Sequence, residues 1–99
     1  MRTSGDMVPA GYVLFQNYPN PFNPTTIIKF QINQDEHVTL IVYDILGRNV
    51  ATLLNEYKKA GKYSVPFLGN NWGNLSSGVY FYTLHVSNYM TTMKMTLLK

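Results

Sequence analysis

Cysteine is absent from the 99-residue sequence, which excludes a disulfide framework, a thiolate zinc site and a thiol nucleophile. Packing alone must hold the fold. Charge is scarce too: Asp, Glu, Lys and Arg make up 13% of the chain, with eight basic residues against five acidic, a net charge of +3. Arg2, Lys29, Arg48, Lys58, Lys59, Lys62, Lys94 and Lys99 are scattered, apart from the pair at 58 and 59. A basic patch able to grip nucleic acid is therefore not visible, and no nucleic-acid partner is expected. No apolar run approaches the roughly 18 residues of a membrane span, and Met1 to Gly11 lacks the apolar stretch of a signal peptide. Neither a membrane span nor an export leader is expected within this chain. Alanine occurs only three times, so helices should be rare.

What the chain has is apolar bulk. Hydrophobic residues make up 45% and aromatics 14%, too much for disorder, and the length suits one domain with one core. Met1 to Asp6 is a polar, small-residue lead; residues 1–11 read as linker and residues 12–99 as the domain. Within it, Ile28, Phe30 and Ile32 alternate with Lys29 and Gln31, and Val38, Leu40 and Val42 alternate with Thr39 and Ile41. Tyr63, Val65 and Phe67, then Tyr80, Tyr82, Leu84 and Val86, then Met93, Met95 and Leu97 repeat the period of two that marks half-buried strands. Turn residues separate these runs at Asn33-Gln34-Asp35, Leu46-Gly47-Arg48, Ala60-Gly61, Gly69 to Gly78 and Ser87-Asn88. With a short strand at Tyr12 to Gln16, the spacing predicts an all-β, seven-stranded antiparallel Ig-like Greek-key sandwich. Ile28, Phe30, Val38, Leu40, Val42, Val65, Leu84 and Met95 should face inward.

Two segments strain the pattern. Val50, Leu53, Leu54 and Tyr57 fit the i, i+3, i+4, i+7 spacing of a helix. The segment lies between turn glycines at 47 and 61, where a helix would interrupt a run of hairpins, so a strand is expected. Pro66 falls inside the fifth strand and cannot donate to a ladder, which predicts an edge position or a bulge, with the edge favoured.

Motifs for chemistry are missing. His37 and His85 stand 48 positions apart with no metal-ligand spacing, and read as ordinary strand or turn residues. Asp6, Asp35, Glu36, Asp44 and Glu56 form neither a calcium loop nor an acid/base pair, and no nucleophile elbow or phosphate-binding loop occurs. The expectation is a non-enzyme with no catalytic residues, metal or cofactor. Trp72, in a Gly/Asn-rich loop, is expected to fold back as a lid on one end of the sandwich, the rival roles being a sugar-stacking platform or one wall of a single-strand nucleic-acid groove. Asn74-Leu75-Ser76 is a formal glycosylation sequon of little weight.

The most unusual stretch is Asn17-Tyr18-Pro19-Asn20-Pro21-Phe22-Asn23-Pro24-Thr25-Thr26, of which Asn17 to Pro24 is the Asn/Pro segment. Its prolines fix φ and push the residues before them out of the helical region, so it must be stiff, with asparagine side chains free to satisfy loop backbone groups. It reads as a rigid crossover capping the sandwich, with Tyr18 and Phe22 tucked into the core.

The Asn/Pro segment resembles the opening signature of the C-terminal sorting domains (type A) of the type IX secretion system. Val42-Tyr43-Asp44-Ile45-Leu46-Gly47-Arg48, Ala60-Gly61-Lys62-Tyr63, Ser77-Gly78-Val79-Tyr80-Phe81-Tyr82 and Lys94-Met95-Thr96-Leu97-Leu98-Lys99 resemble that family's later blocks, in order, from about Tyr12 to the last residue. Departures are Phe67 where Trp is frequent, Ile41 where a polar residue is common, and Pro66. The resemblance implies a non-catalytic address label on a larger exported protein of a Gram-negative bacterium. Such a label is covalently linked to an N-terminal cargo domain, folds in the periplasm in transit, is recognised by the outer-membrane type IX translocon, and meets a surface sortase. The cargo ends at the cell surface or is secreted. Candidate recognition elements are the Asn/Pro segment, the hairpin with Asp44, Gly47 and Arg48, Gly78, and the basic last strand with Lys94 and Lys99. The alternatives are a passive Ig-like spacer or a carbohydrate-binding module of a multidomain surface enzyme, with a hydrolase fragment last. A terminal block that matches through Lys99 favours the label.

Overall fold

Alternation of apolar and polar side chains is realised as seven strands in the computed structural model, which describes residues 11–73 and 75–99. These are β1 (Tyr12–Leu14), β2 (Thr25–Ile32), β3 (Glu36–Tyr43), β4 (Asn49–Lys58), β5 (Gly61–Leu68), β6 (Gly78–Val86) and β7 (Tyr89–Leu97). They form a three-stranded sheet in the order β1-β2-β5 and a four-stranded sheet in the order β4-β3-β6-β7, every pair antiparallel. Hairpins β3–β4 and β6–β7 stay within one sheet, whereas the chain changes sheet after β2, β4 and β5. The result is a Greek-key sandwich of Ig-like type.

All eight residues expected to face inward are buried. Phe22, Phe67, Tyr82 and Leu97 join them, and the edge-to-face pair Phe22–Phe67 has ring centroids 5.8 Å apart. Each such side chain removed from water contributes roughly 1.5–3 kcal/mol before the entropy of ordering it.

The helical spacing in β4 has a structural cause. Opposite β3, Leu40 pairs with Leu54 but Ile41 with Thr52, and Val42 pairs with Ala51 but Tyr43 with Asn49. Leu53 and Val50 are thus extra residues, and each β-bulge inverts the alternation. Two inversions a few residues apart turn a period of two into an apparent 3–4 spacing, although the segment is a strand.

Pro66 lies on the edge strand β5, opposite Ile27. The amide and carbonyl of Ile27 are both bonded to Tyr18, on the side away from β5. Ile27 and Pro66 are therefore a non-hydrogen-bonded pair, and the nitrogen of Pro66 points out of the sheet. No ladder bond is lost.

Trp72 does not form the expected lid. It is 39% exposed, and Leu75 from the same loop takes the buried place in the core. His37 and His85 are exposed strand residues as expected, His37 Nε2 lying 2.6 Å from Asn55 Oδ1. The lead at Met1 to Asp6 and Asn74 of the sequon lie outside the described residues.

Candidate functional site

Topology brings to one end of the sandwich segments that are far apart in sequence. β2 begins there, β3 and β7 end there, and β6 starts with Gly78 paired to Leu97. The Asn/Pro segment, the turn from Asp44 to Arg48, the loop after β5 and the last residues therefore share that end.

The Asn/Pro segment is tied to both sheets. Asn17 is buried; its N–H donates to the Tyr82 hydroxyl at 2.8 Å, and its Nδ2 donates to Thr26 Oγ1 at 2.9 Å and to the Pro19 carbonyl at 3.1 Å. Thr26 Oγ1 donates to the same carbonyl at 2.7 Å, so a small closed network fixes the turn into the prolines. Phe22 is buried, its N–H donating to the Thr96 carbonyl at 2.9 Å and its carbonyl accepting from Leu98 at 2.8 Å. Asn20 Oδ1 accepts from the Thr96 N–H at 3.0 Å, and Gln16 Nε2 donates to the Lys94 carbonyl at 2.8 Å. These contacts cover the edge of β7 from Lys94 to Leu98, a row of backbone groups that would otherwise be open to pairing. The Pro24 carbonyl accepts from Gly69 at 2.8 Å, joining the segment to the loop after β5.

Tyr18 departs from expectation. It is 80% exposed rather than tucked into the core, because its antiparallel bridge to Ile27 places both side chains on the outer face. Pro19, Asn20, Pro21 and Asn23 are exposed as well.

Across the same end, Asp44 builds the hairpin between β3 and β4. Its Oδ1 accepts from Leu46 at 2.9 Å and Arg48 at 3.0 Å, and its Oδ2 accepts from Arg48 Nε at 2.8 Å. The Arg48 backbone N–H, helped by the guanidinium and the Leu46 N–H, holds the Asp44 carboxyl below the usual carboxylate range. Gly47 has φ +81°, in the left-handed region where a Cβ is costly. The fixed turn lifts Ile45 and Leu46 into solvent, 70% and 71% exposed. A cavity of about 440 Å³ opens beside them, lined by Asp44, Leu46, Arg48, Leu75, Ser77 and Gly78 among others. The Lys99 N–H donates to Ser77 Oγ at 2.8 Å, bringing the terminal residue to the same rim. Lys94 stands apart, exposed on the outer face of β7 opposite Phe81.

The arrangement therefore joins Asn17 to Pro24, Asp44, Gly47, Arg48, Gly78 and Lys99 on one end, with Lys94 alone on a sheet face. No group of three His, Asp or Glu side chains suited to a metal occurs among the described residues. Asp44 is saturated by its own turn, so its chemistry is structural. A family model described as the secretion system C-terminal sorting domain matches residues 16–98.

The chain belongs to that family. It is a type IX secretion sorting domain, a C-terminal signal for export across the outer membrane to the cell surface or the medium, and such domains are non-catalytic. The family implies an N-terminal cargo and the type IX machinery as partners. No curated protein matches the chain. For a sorting domain, the residues that residue-by-residue reading missed are Tyr82, Thr26, Thr96 and Ser77, which anchor the signature segments. Tyr82 carried the one usable signal, since a tyrosine at an inward strand position needs a partner for its hydroxyl.

Proposed function

We propose that this sorting domain is read, after folding in the periplasm, by the outer-membrane type IX translocon through the end where the Asn/Pro segment, the Asp44 to Arg48 hairpin, the Gly78 turn and Lys99 meet. A surface sortase then cuts ahead of the domain, releasing the cargo or leaving it attached at the cell surface. The observation that carries this reading is the convergence of four separated sequence blocks on one rigid end. Supporting it, Ile45 and Leu46 are apolar side chains held in water by a turn with five internal bonds, a cost that packing within the domain does not recover. A receptor surface would recover it.

The test fuses a periplasmic reporter ahead of residue 8 and expresses it in a host with type IX machinery. The parent fusion is expected at the cell surface or in the medium. Ile45→Asp with Leu46→Asp, both at exposed positions, should melt like the parent and stay in the periplasm. Retention of the parent fusion with its domain intact and folded would sink the label reading and leave the Ig-like spacer. Secretion of the double variant at the parent's level would instead move recognition away from this end.

A further inference from the structure

The outer face of the three-stranded sheet combines two lysines, exposed aromatics and a shallow basin. Inward positions Ile28, Phe30 and Ile32 of β2 leave Ile27, Lys29 and Gln31 facing out, and inward Val65 and Phe67 of β5 leave Lys62, Ser64 and Pro66 facing out. Lys29 lies opposite Ser64 and Gln31 opposite Lys62, which makes the two lysines diagonal neighbours on one face. None of β1, β2 and β5 contains an Asp or Glu.

The ion pairs of the described residues are Arg48–Asp44, Lys58–Glu56 and Lys59–Asp35, and none lies on this face. Between the two lysines sits a basin of about 340 Å³ lined by Phe15, Lys29, Gln31, Lys62 and Ser64 among others. Phe15 is 45% exposed at its edge, and Tyr18 stands further along the same face. Among the described residues, two cations outside any ion pair and two exposed aromatics thus share a sheet face that no other segment covers.

We infer that this face docks an acidic peptide segment of a partner protein, its carboxylates meeting Lys29 and Lys62 and one of its apolar side chains filling the basin against Phe15. Charge selects the occupant. Lysines are flexible point charges suited to separate carboxylates, and no arginine fork for bidentate phosphate binding is present on the three strands. A lipid surface is read by clusters of roughly 4–8 basic residues, more than the two found here. A second copy is disfavoured as well, since copies of net charge +3 repel and three of the carboxylates are already paired. The inference does not depend on the motif end being what the translocon reads, because no residue lining the basin belongs to that end.

The experiment titrates the isotope-labelled 99-residue chain with a short peptide alternating Glu and Leu, following backbone amide shifts. The largest shifts are expected at Phe15, Lys29, Gln31, Lys62 and Ser64, and the same peptide with Gln for Glu should bind far more weakly. Lys29→Gln with Lys62→Gln should weaken binding about tenfold, the sum of two modest exposed ion pairs. Lys94→Gln with Lys99→Gln removes the same net charge elsewhere and should leave affinity within about twofold, since distant exposed charges are screened. Equal weakening by both doubles, shifts mapping to another surface, equal binding of the Gln peptide, or no binding at all would overturn the inference. So would preferential binding to phosphatidylglycerol vesicles, which would make the face a membrane contact.

Discussion

The backbone N–H of Asn17 donates to the hydroxyl of Tyr82, 65 residues away on the opposite sheet, and that hydroxyl in turn donates to the carbonyl of Phe15 at 2.7 Å. One phenol thus fastens the entrance of the Asn/Pro segment. Tyr82→Phe keeps the ring in the core and strands the buried Asn17 N–H and the Phe15 carbonyl. A loss of about 1–3 kcal/mol is expected, read as a lower urea midpoint with an unchanged slope.

Alkaline pH should reach the same bond. Burial pushes the Tyr82 phenol up to about 12, while an unfolded tyrosine titrates near 10. A folded value above the unfolded one means that the stabilisation is complete below the unfolded value and is lost as pH rises through the folded one. Melting temperature should therefore fall between about pH 10 and 12, and the fall should be shallower in Tyr82→Phe. Equal slopes in parent and variant would deny Tyr82 this role.

Gly47 and Gly78 separate backbone strain from crowding. A Cβ at either position meets no atom within 4 Å, but φ is +81° at Gly47 and +148° at Gly78. Valine at either position should cost roughly 1–3 kcal/mol from the backbone alone. Asparagine, which tolerates the left-handed region, should recover much of the loss at 47 and little at 78, where φ lies outside that region. Unchanged urea midpoints in both valine variants would make any export defect a direct effect on recognition.

Pro66 should act against self-association rather than for stability. Its nitrogen points outward from the edge strand β5, so Pro66→Val adds an open N–H to an exposed edge without mending any internal bond. Sedimentation at rising concentration is expected to show dimers or larger species in the variant and monomer in the parent. Melting should change by less than about 1 kcal/mol.

Lys94 and Lys99 are exposed, and the bonds that anchor them, the Lys94 carbonyl to Gln16 and the Lys99 N–H to Ser77, belong to the backbone. Lys94→Ala and Lys99→Ala should therefore leave melting within about 0.5 kcal/mol. Reporter secretion is expected to fall if an acidic receptor reads the basic strand, as weakened steering reduces encounter. Unchanged secretion would remove both lysine side chains from the recognition surface.

Strand positions and the core were readable in the sequence because a half-buried strand writes its burial as alternation, and Ile28, Leu40, Leu84 and Met95 each obey it. β4 obscured this, since its bulges at Val50 and Leu53 are set by pairing with β3 and have no local signature. Tyr18 misled for a similar reason: which face it occupies follows from its bridge to Ile27, a contact that a one-residue shift would reverse. The assembly of the motif end was out of reach of local pattern altogether. It depends on which loops the Greek key collects at one end; Asn17, with its Asx-prone side chain among prolines, and Tyr82, an inward tyrosine in need of a hydroxyl partner, were the hints.

Phe22 grips Thr96 and Leu98 by backbone bonds, and Asn20 caps the same strand from 76 residues away. The first motif of the domain is thus locked by its last strand, a contact of very high sequence separation that carries a correspondingly large loop-closure entropy. A chain that stops short of Thr96 leaves Asn20 and Phe22 without their partners, although Asn17, Tyr18 and Pro24 keep theirs. If the motif end is what the translocon reads, as proposed above, a product that ends before the last strand lacks this part of the address, and the topology itself supplies a form of quality control.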